Sequence, residues 1–300
     1  MVRVLRWAAG CLLFFSIGVG TISDIPRRNP QLMLGGYQVL AADFHIHSFP
    51  LSWGVLSPWD TVLEARRQGL DVIAVTPHNH TWVAKVARWF SRRSGDPMVL
   101  VGEEIHSIAY HVLAVGIRNT IDWRQQARSA IDEVHRQGGV AIAAHPIASY
   151  SGYDMEAMQK LDGAEVVHPL GLRNDTFAAE LRQFFGRTPL TAIGGSDYHF
   201  GPMAPDLGEM GLCRTYVFVR ERSEQAILDA LRERRTVVYD REHVYGDPAM
   251  IQLAAEDGRL VKLASTGPEQ NFHRLFSGIS GVLGLLMLIL ASSNSRGRLD

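Results

Sequence analysis

Short apolar runs alternate with amphipathic segments through most of the chain. Eight runs of four to six mostly apolar residues predict strands, and polar or glycine-rich segments separate them. Several of these separating segments have apolar residues at helical spacing, and Ser57 and Gly69 are typical start and stop residues for one such helix. Strands that alternate with helices indicate βαβ units and a parallel sheet, so the pattern predicts an α/β fold. The predicted strands are residues 39–44, 70–75, 98–101, 110–115, 140–144, 164–167, 190–193 and 214–219.

Both ends of the chain contain long stretches without charge. Residues 7–22 follow two arginines, and residues 275–293 precede two arginines. Because a membrane-spanning helix needs about 20 apolar residues, we interpret both stretches as transmembrane helices that contact lipid. The first stretch could instead be a signal peptide, and either could be a buried core helix. The basic outer flanks favour cytoplasmic termini and a barrel outside the cytoplasm, although Arg27, Arg28 and Arg274 weaken this bias.

The predicted domain organisation has four parts. Two apolar runs, 250–254 and 259–264, flank Asp257-Gly258, which is a hairpin turn signal. We therefore expect a small β appendage after the main domain. The predicted parts are a membrane segment and linker at 1–30, the barrel at 37–246, the β appendage and linker at 247–270, and a transmembrane helix at 275–293.

The composition restricts the chemistry of any metal site. The formal net charge is -1, from 30 basic and 31 acidic residues, which argues against a general nucleic-acid-binding protein. Only two cysteines are present, so a disulfide framework and a cysteine-rich zinc site are excluded. Twelve histidines are available. A bound metal would therefore have histidine and carboxylate ligands.

Histidine and carboxylate residues recur where predicted strands end. His45 and His47 lie one residue apart on an extended segment, so their side chains point to one face and could bind one metal ion. On this pattern alone, a polar pair at a strand edge is the commoner explanation. Strand ends meet at one mouth in a closed α/β barrel, so the recurrence predicts a polynuclear metal centre there. The other strand ends supply His78, Glu103 and Glu104, His145, His168, and Asp197 with His199.

The order of these motifs resembles the PHP superfamily, named for polymerase and histidinol phosphatase domains. The matching stretches are DFHIHS, VTPHN, GEEI, HVLAVG, AHP and GGSDYH, and the resemblance extends from about residue 37 to residue 245. It implies a distorted (β/α)7 TIM-like barrel of PHP type. It also implies a site of two or three divalent metal ions, zinc, manganese or iron, that hydrolyses a phosphorylated substrate.

The resemblance also implies a ligand for each metal position. The first metal would be bound by His45, His47, Glu104 and Asp197. Glu104 would bridge to a second metal bound by His111 and His145, and the third position would have His78 and His199. Glu104, Asp197 and His199 are expected to carry catalysis.

Two departures from the family pattern affect the third position. The family's S-D-G is matched by Ser52-Trp53-Gly54, and its T-D-H by Thr76-Pro77-His78, so two carboxylates are missing. If Asn79 is extended, His80 would face the same way as His78 and could replace a lost ligand. An alternative is that His80 is an ordinary loop residue.

The expected function is that of a membrane-tethered phosphoesterase that uses metal-activated water. The missing carboxylates leave open a catalytically weakened module that binds metal or senses a ligand. A third alternative is an amidohydrolase-type barrel, which normally uses a carboxylated lysine. The predicted core strand ends contain no lysine.

Overall fold

The computed structural model describes residues 2–23, 31–50, 52–91, 95–199, 209–241, 243–260 and 272–296. The chain divides into two compact units. One unit is Arg27–Pro268, and the other combines Met1–Pro26 with Glu269–Asp300.

In the described residues, the larger unit is built on one mixed sheet of eleven strands. Ten of them lie in the order β11-β10-β9-β2-β3-β4-β5-β6-β7-β8, and β1 pairs with the beginning of β2. The strands are β1 Leu32–Leu34, β2 Tyr37–Ile46, β3 Val72–Val75, β4 Met98–His106, β5 His111–Val115, β6 Val140–Ala143, β7 Gly163–Val167, β8 Thr191–Gly194, β9 Thr215–Val219, β10 Thr236–Tyr239 and β11 Val244–Gly246.

Threonine side chains connect the two ends of this strand order, so that the sheet nearly closes into a barrel. The Thr215 hydroxyl on β9 accepts a hydrogen bond from Gly194 N on β8 at 2.9 Å. The Thr236 hydroxyl on β10 donates to Ala192 O at 2.9 Å. These bonds satisfy polar groups of the β8 backbone that have no neighbouring strand to pair with.

The sheet is not parallel throughout, in contrast to the sequence-based expectation. β2, β3 and β4 are parallel, as are β6, β7 and β8, but β5 and β9 run antiparallel to their neighbours. The connection between β4 and β5 spans only residues 107–110, which is too short for a crossover helix. A hairpin is therefore the only connection available to these two strands.

Helices cover the sheet, and side-chain caps fix where several of them begin. Ser57, Asp154, Asn174 and Ser223 each accept a hydrogen bond from a backbone N–H of the first turn. Their apolar faces are buried, as the sequence pattern predicts. The helices of this unit are α2 Pro58–Arg67, α3 Trp82–Phe90, α4 Ala127–Arg136, α5 Met155–Lys160, α6 Asp175–Phe185, α7 Glu224–Arg232 and α8 Pro248–Asp257.

The predicted β appendage is wrong where the structure describes it. Residues 250–254 lie in α8, which begins after the Asp247 cap with Pro248 in its first turn and ends at Gly258 with φ 68°. Asp257-Gly258 is therefore a helix end and not a hairpin turn, since glycine suits both conformations. Residues 261–264 lie outside the described part of the chain.

The smaller unit contains α1, Val2–Ser23, and α9, Phe272–Arg296, and these helices pack against each other in antiparallel orientation. Glycines permit the close approach. A Cβ atom on Gly281 would lie 2.8 Å from Ser16 Oγ, and one on Gly284 would lie 2.9 Å from Leu13 Cγ.

The prediction of two transmembrane helices is wrong. Within the described residues, no helix is both long enough and apolar enough to cross a membrane. The prediction relied on the absence of charge in residues 7–22 and 275–293. Glycine and serine are uncharged but not strongly apolar, and these stretches contain several of them, including Gly10, Ser16, Gly18, Ser280 and Gly281. The membrane localisation inferred from those helices is therefore also wrong.

Substitution of Gly194 tests the closure of the barrel. A Cβ atom there would lie 2.5 Å from Cys213 O and 3.0 Å from Val238 Cγ1. We expect Gly194→Ala to cost about 1–3 kcal/mol in the free energy of unfolding, because the neighbouring strands must move apart. Thermal unfolding should show a Tm lower by several degrees. Gly186→Ala is the control, since φ there is -75° and the nearest atom would be 3.4 Å away. Equal Tm values for the two variants would contradict this account.

Candidate metal centre

The predicted ligands converge because their strands end, or begin, at one side of the barrel. β2 carries His45 near its end, and β4 carries Glu104. β5 runs antiparallel to β4, so its first residue, His111, lies opposite His106 at the same end. His47, His78, His145, Asp197 and His199 follow the ends of β2, β3, β6 and β8.

Five distances within the first group of candidate ligands are close to the edge length of a tetrahedral metal site. His45 Nε2 lies 3.0 Å from His47 Nε2, 3.4 Å from Glu104 Oε2 and 3.2 Å from Asp197 Oδ1. His47 Nε2 lies 3.3 Å from Glu104 Oε2 and 3.2 Å from Asp197 Oδ1. Ligand atoms around a tetrahedral zinc ion, bound at about 2.0–2.1 Å, are roughly 3.3 Å apart. These five distances therefore match the spacing that one such ion requires.

The second group shares Glu104 with the first. Glu104 Oε1 lies 2.7 Å from His111 Nδ1 and 3.4 Å from His145 Nε2, and the three atoms form a group of metal-ligand dimensions. The first group uses the other oxygen, Oε2. One buried carboxylate thus lies between two sets of imidazoles.

The third group consists of His47, His78 and His199. The rings of His47 and His199 stack with centroids 3.9 Å apart, and His199 Nδ1 donates to Asp197 O at 2.8 Å. His78 Nε2 also lies 3.0 Å from Glu104 Oε2. This group has no carboxylate of its own, as the departures in sequence predict.

His106, which the sequence pattern did not indicate as a ligand, forms a further group with His78 and Glu104. His106 follows Glu104 by two residues on β4, so both side chains lie on one face of the strand. This i, i+2 relation is the signal that identified His45 and His47. It was not applied to His106 because the predicted strand stopped at residue 101.

Outer hydrogen bonds orient the ligands, and Glu165 makes two of them. Its Oε1 lies 2.8 Å from His45 Nδ1, and its Oε2 accepts from His145 N at 2.6 Å. Ser52 Oγ lies 2.7 Å from His47 Nδ1 and accepts from His78 N at 2.9 Å. Such partners fix the ring orientation and leave Nε2 of His45 and His47 facing the site.

Residues with strained backbone conformations cluster around the candidate metal centre. Among the described residues other than glycine, positive φ values occur at Trp53, Asn79, His145, Asp197 and Arg234. The first four follow the ends of β2, β3, β6 and β8. Strained residues of this kind persist where the surrounding structure holds them, and they cluster at functional sites.

Electrostatic interactions favour ionised carboxylates at the centre. Burial opposes the charge of Glu104, but the close approach of the surrounding imidazoles outweighs burial and holds the pKa of this carboxyl well below its usual value. Burial is likewise outweighed at Asp197, chiefly by the charge of His45, and its pKa is also well below normal. Both groups are therefore anionic at neutral pH.

The imidazoles divide into two sets. Burial would lower the pKa of His45, but the carboxylates of Glu165 and Asp197 outweigh it and raise this pKa well above its usual value. Burial lowers the pKa of His199 to about 4 and lowers the pKa of His78 and His111 as well. Those three rings are neutral at pH 7, which is the state that binds a metal.

The donor set fits divalent cations. Glu104 Oε1 and Asp197 Oδ1 are buried, and neither accepts a hydrogen bond of good geometry from the described residues. The Nε2 atoms of His45 and His47 face each other, and two imidazole acceptors at 3.0 Å repel unless a cation or a proton lies between them. Mixed nitrogen and oxygen donors suit zinc, manganese or iron.

His80 is not brought to these groups. Asn79 has φ 56°, so the extended backbone that would align His78 with His80 is not present. The His80 ring instead stacks on Trp82 with a centroid distance of 5.6 Å. Glu103 points away from the site, where it accepts a hydrogen bond from Ile121 N at 2.6 Å.

His168 lies beside the first group without joining it. Its Nδ1 accepts from Leu170 N at 3.2 Å, so the neutral ring carries its proton on Nε2. That nitrogen lies 3.5 Å from Asp197 Oδ2. His168 therefore contacts a candidate ligand and does not offer a lone pair to a metal.

Comparison with known proteins supports the interpretation of these groups as a metal centre. No family model matches the chain. A two-domain protein from Bacteroides vulgatus, described as containing a predicted PHP-like metal-dependent phosphoesterase, is 28% identical with a TM-score of 0.62, and the match covers 77% of this chain and 74% of that one. An uncharacterised protein from Methanocaldococcus jannaschii is 28% identical over 145 residues, 42% of this chain and 81% of the relative.

The barrel and its histidine and carboxylate groups define a protein of the metal-dependent hydrolase class. The chain is similar in fold to a PHP-like metal-dependent phosphoesterase, in agreement with the order of its sequence motifs.

Substitution of Glu165 tests whether its hydrogen bonds support the metal centre. We expect Glu165→Gln to weaken metal affinity about 10–100-fold, because the amide cannot provide both contacts with the charge of a carboxylate. Affinity would be measured by competition with a chromogenic chelator. Glu103→Gln is the matched control, since that buried carboxylate faces away from the site, and its affinity should stay within a few fold of wild type. Equal losses in both variants would contradict a specific role for Glu165.

Proposed function

We propose that the protein is a metal-dependent phosphoesterase that hydrolyses a phosphoric ester. The observation that carries this proposal is the Glu104 carboxylate, which has one oxygen in each of two imidazole groups. Cations bound on its two sides would supply an activated water and would neutralise charge on the phosphoryl oxygens. The name of the Bacteroides vulgatus protein supports the same class of substrate.

The chain's own residues would orient this chemistry. Glu104 and Asp197 supply anionic charge, and Glu165 and Ser52 hold the imidazoles in position. Because the ligand residues lie on or directly after strands of one sheet, the site is held rigidly. No side-chain nucleophile is required for direct attack by water.

Tyr150 is an uncharged donor beside the second group. Its hydroxyl lies 3.2 Å from His111 Nδ1 and 3.5 Å from His145 Nδ1. Burial and the charges of nearby carboxylates raise the pKa of Tyr150, so the hydroxyl keeps its proton. In this proposal it donates a hydrogen bond to a phosphoryl oxygen of the substrate.

We further propose two tightly bound ions and a weaker third. The first two groups contain ionised carboxylates, whereas the third consists of three imidazoles. Affinity for a divalent cation depends on the number and charge of its ligands, so the third position should release its ion first.

A catalytically weakened binding or sensing module is the second candidate. Trp53 and Pro77 stand where the family pattern has carboxylates, and neither side chain can bind a metal. The two complete groups around Glu104 favour the enzyme. The two candidates differ in whether the metal-loaded protein turns over a phosphoric ester.

Activity assays test the proposed reaction. With Mn²⁺ or Zn²⁺, the protein should hydrolyse a generic aryl phosphate or phosphodiester, and a chelator should abolish turnover. His45→Ala and Asp197→Ala should each reduce kcat by at least about 100-fold, because each removes a ligand of the first group. His135→Ala is the control. His135 lies on α4, where its Nε2 is 2.8 Å from Asp162 Oδ2, and it belongs to none of the ligand groups. Retained activity in the ligand variants would refute the assignment.

Metal analysis tests the number of ions. Protein dialysed against metal-free buffer should retain two equivalents, and a third should bind only at higher metal concentration. His199→Ala should lose the weak equivalent and keep the other two, because His199 belongs only to the third group. Three ions that survive dialysis of His199→Ala would show that the ligands are wrongly assigned.

A further inference from the structure

An exposed tryptophan stands at the position where the family pattern has a carboxylate. Trp53 has 77% of its surface exposed. It follows Ser52, whose hydroxyl contacts His47 Nδ1 at 2.7 Å. The backbone of Trp53 therefore lies at the edge of the candidate metal centre, and its indole is exposed to solvent.

Hydrogen bonds on both sides fix Trp53 relative to the third group. Before it, Ser52 Oγ contacts His47 and accepts from His78 N at 2.9 Å. After it, Val55 N donates to His199 O at 2.9 Å. All three histidines of the third group are thus bonded to residues within two positions of Trp53. Its backbone cannot move independently of the site.

The close packing of the next residue restricts the backbone further. A Cβ atom on Gly54 would lie 2.6 Å from Ser48 N and 2.7 Å from His47 O, so only glycine fits there. Trp53 itself has φ 59°. The left-handed region is unfavourable for a bulky residue, and here the neighbouring contacts impose it.

Folding gains nothing from an indole held in this way. An exposed indole leaves a large apolar surface in water, and its backbone conformation costs additional free energy. A strained, exposed aromatic side chain beside a site is typical of a residue that contacts a ligand. The flat face of an indole stacks on other planar rings, and its preference for them is largely independent of their substituents.

We propose that Trp53 is a specificity-determining residue, a stacking surface for a planar aromatic group in the substrate. This inference rests on the proposed function, and it narrows the substrate class to phosphoric esters that contain an aryl ring or a nucleobase. The phosphoryl group occupies the metal centre, and the ring lies against the indole at its edge. Stacking of one ring on an aromatic side chain corresponds to about a tenfold change in affinity, or more.

Binding of non-hydrolysable analogues to the metal-loaded full chain tests the proposal. Calorimetry would compare phenylphosphonate with propylphosphonate, which have the same charged group and differ in the ring. We expect Trp53→Ala to weaken phenylphosphonate binding about tenfold and to leave propylphosphonate unchanged. Trp53→Phe should recover most of the loss. Trp89→Ala is the matched control, because Trp89 is 57% exposed on α3 and belongs to none of the ligand groups.

Steady-state kinetics extend the test and distinguish an aryl ring from a nucleobase in the substrate. In Trp53→Ala, KM for phenyl phosphate or for a nucleoside monophosphate should rise about tenfold, with kcat within twofold of wild type. The ester whose KM rises more shows whether the ring of the substrate is a simple aryl group or a nucleobase. KM for propyl phosphate should not change.

Several outcomes would overturn the inference. Equal weakening of both phosphonates in Trp53→Ala would show that the residue only supports the metal centre. No change for either phosphonate would show that the indole contacts no ligand ring. Failure of the proposed function can be distinguished from failure of the stacking inference. In that case wild-type protein would hydrolyse no phosphoric ester with any metal, but Trp53→Ala would still weaken phenylphosphonate binding more than propylphosphonate binding.

Discussion

One buried carboxylate determines how the barrel mouth is organised. Glu104 is 1% exposed, and its two oxygens approach imidazoles from β2, β5 and the segments after β3 and β6. An ionised carboxylate in such a place is strongly destabilising unless positive charge or hydrogen-bond donors surround it. At Glu104 the surrounding imidazoles outweigh the cost of burial, so the carboxylate stays ionised. The resulting anion has one oxygen in each of two imidazole groups, which is why we propose a divalent ion on each side of Glu104.

The mixed topology of the sheet follows from the same requirement. β4 carries Glu104, and the short turn after it returns the chain as β5, so that His111 begins at the end where β4 finishes. A crossover helix would instead have started the next strand at the opposite end of the barrel. The hairpin thus adds an imidazole next to Glu104 from a strand start, whereas the other ligands lie near or after strand ends.

Much of this arrangement could be predicted from sequence, for identifiable reasons. The apolar runs gave most strands, and His45, His47 and Asp197 lie where those runs end, so convergence followed from barrel geometry. His106 was missed because β4 continues past its apolar run to carry three polar residues on a strand. Glu165 lies within the predicted strand 164–167, and no local pattern indicates its role, because that role depends on a contact with His45, 120 positions away. The terminal helices were misjudged because absence of charge was taken as sufficient for a membrane span.

Backbone conformation was the least predictable feature of the site. Asn79 adopts a left-handed conformation, and this single dihedral separates His80 from His78. Trp53 adopts the same region because Gly54 packs against the backbone of His47 and Ser48. Both conformations depend on tertiary contacts, and an extended backbone was the natural assumption from sequence.

The shared role of Glu104 is the central claim, and anomalous diffraction from metal-loaded crystals tests it most directly. Data collected at the absorption edge of the bound metal would locate each ion relative to the carboxylate. We expect two strong peaks, one within bonding distance of Oε2 with His45, His47 and Asp197, and one near Oε1 with His111 and His145. Strong peaks that do not contact Glu104, or a single peak bound by only one of its oxygens, would contradict the account.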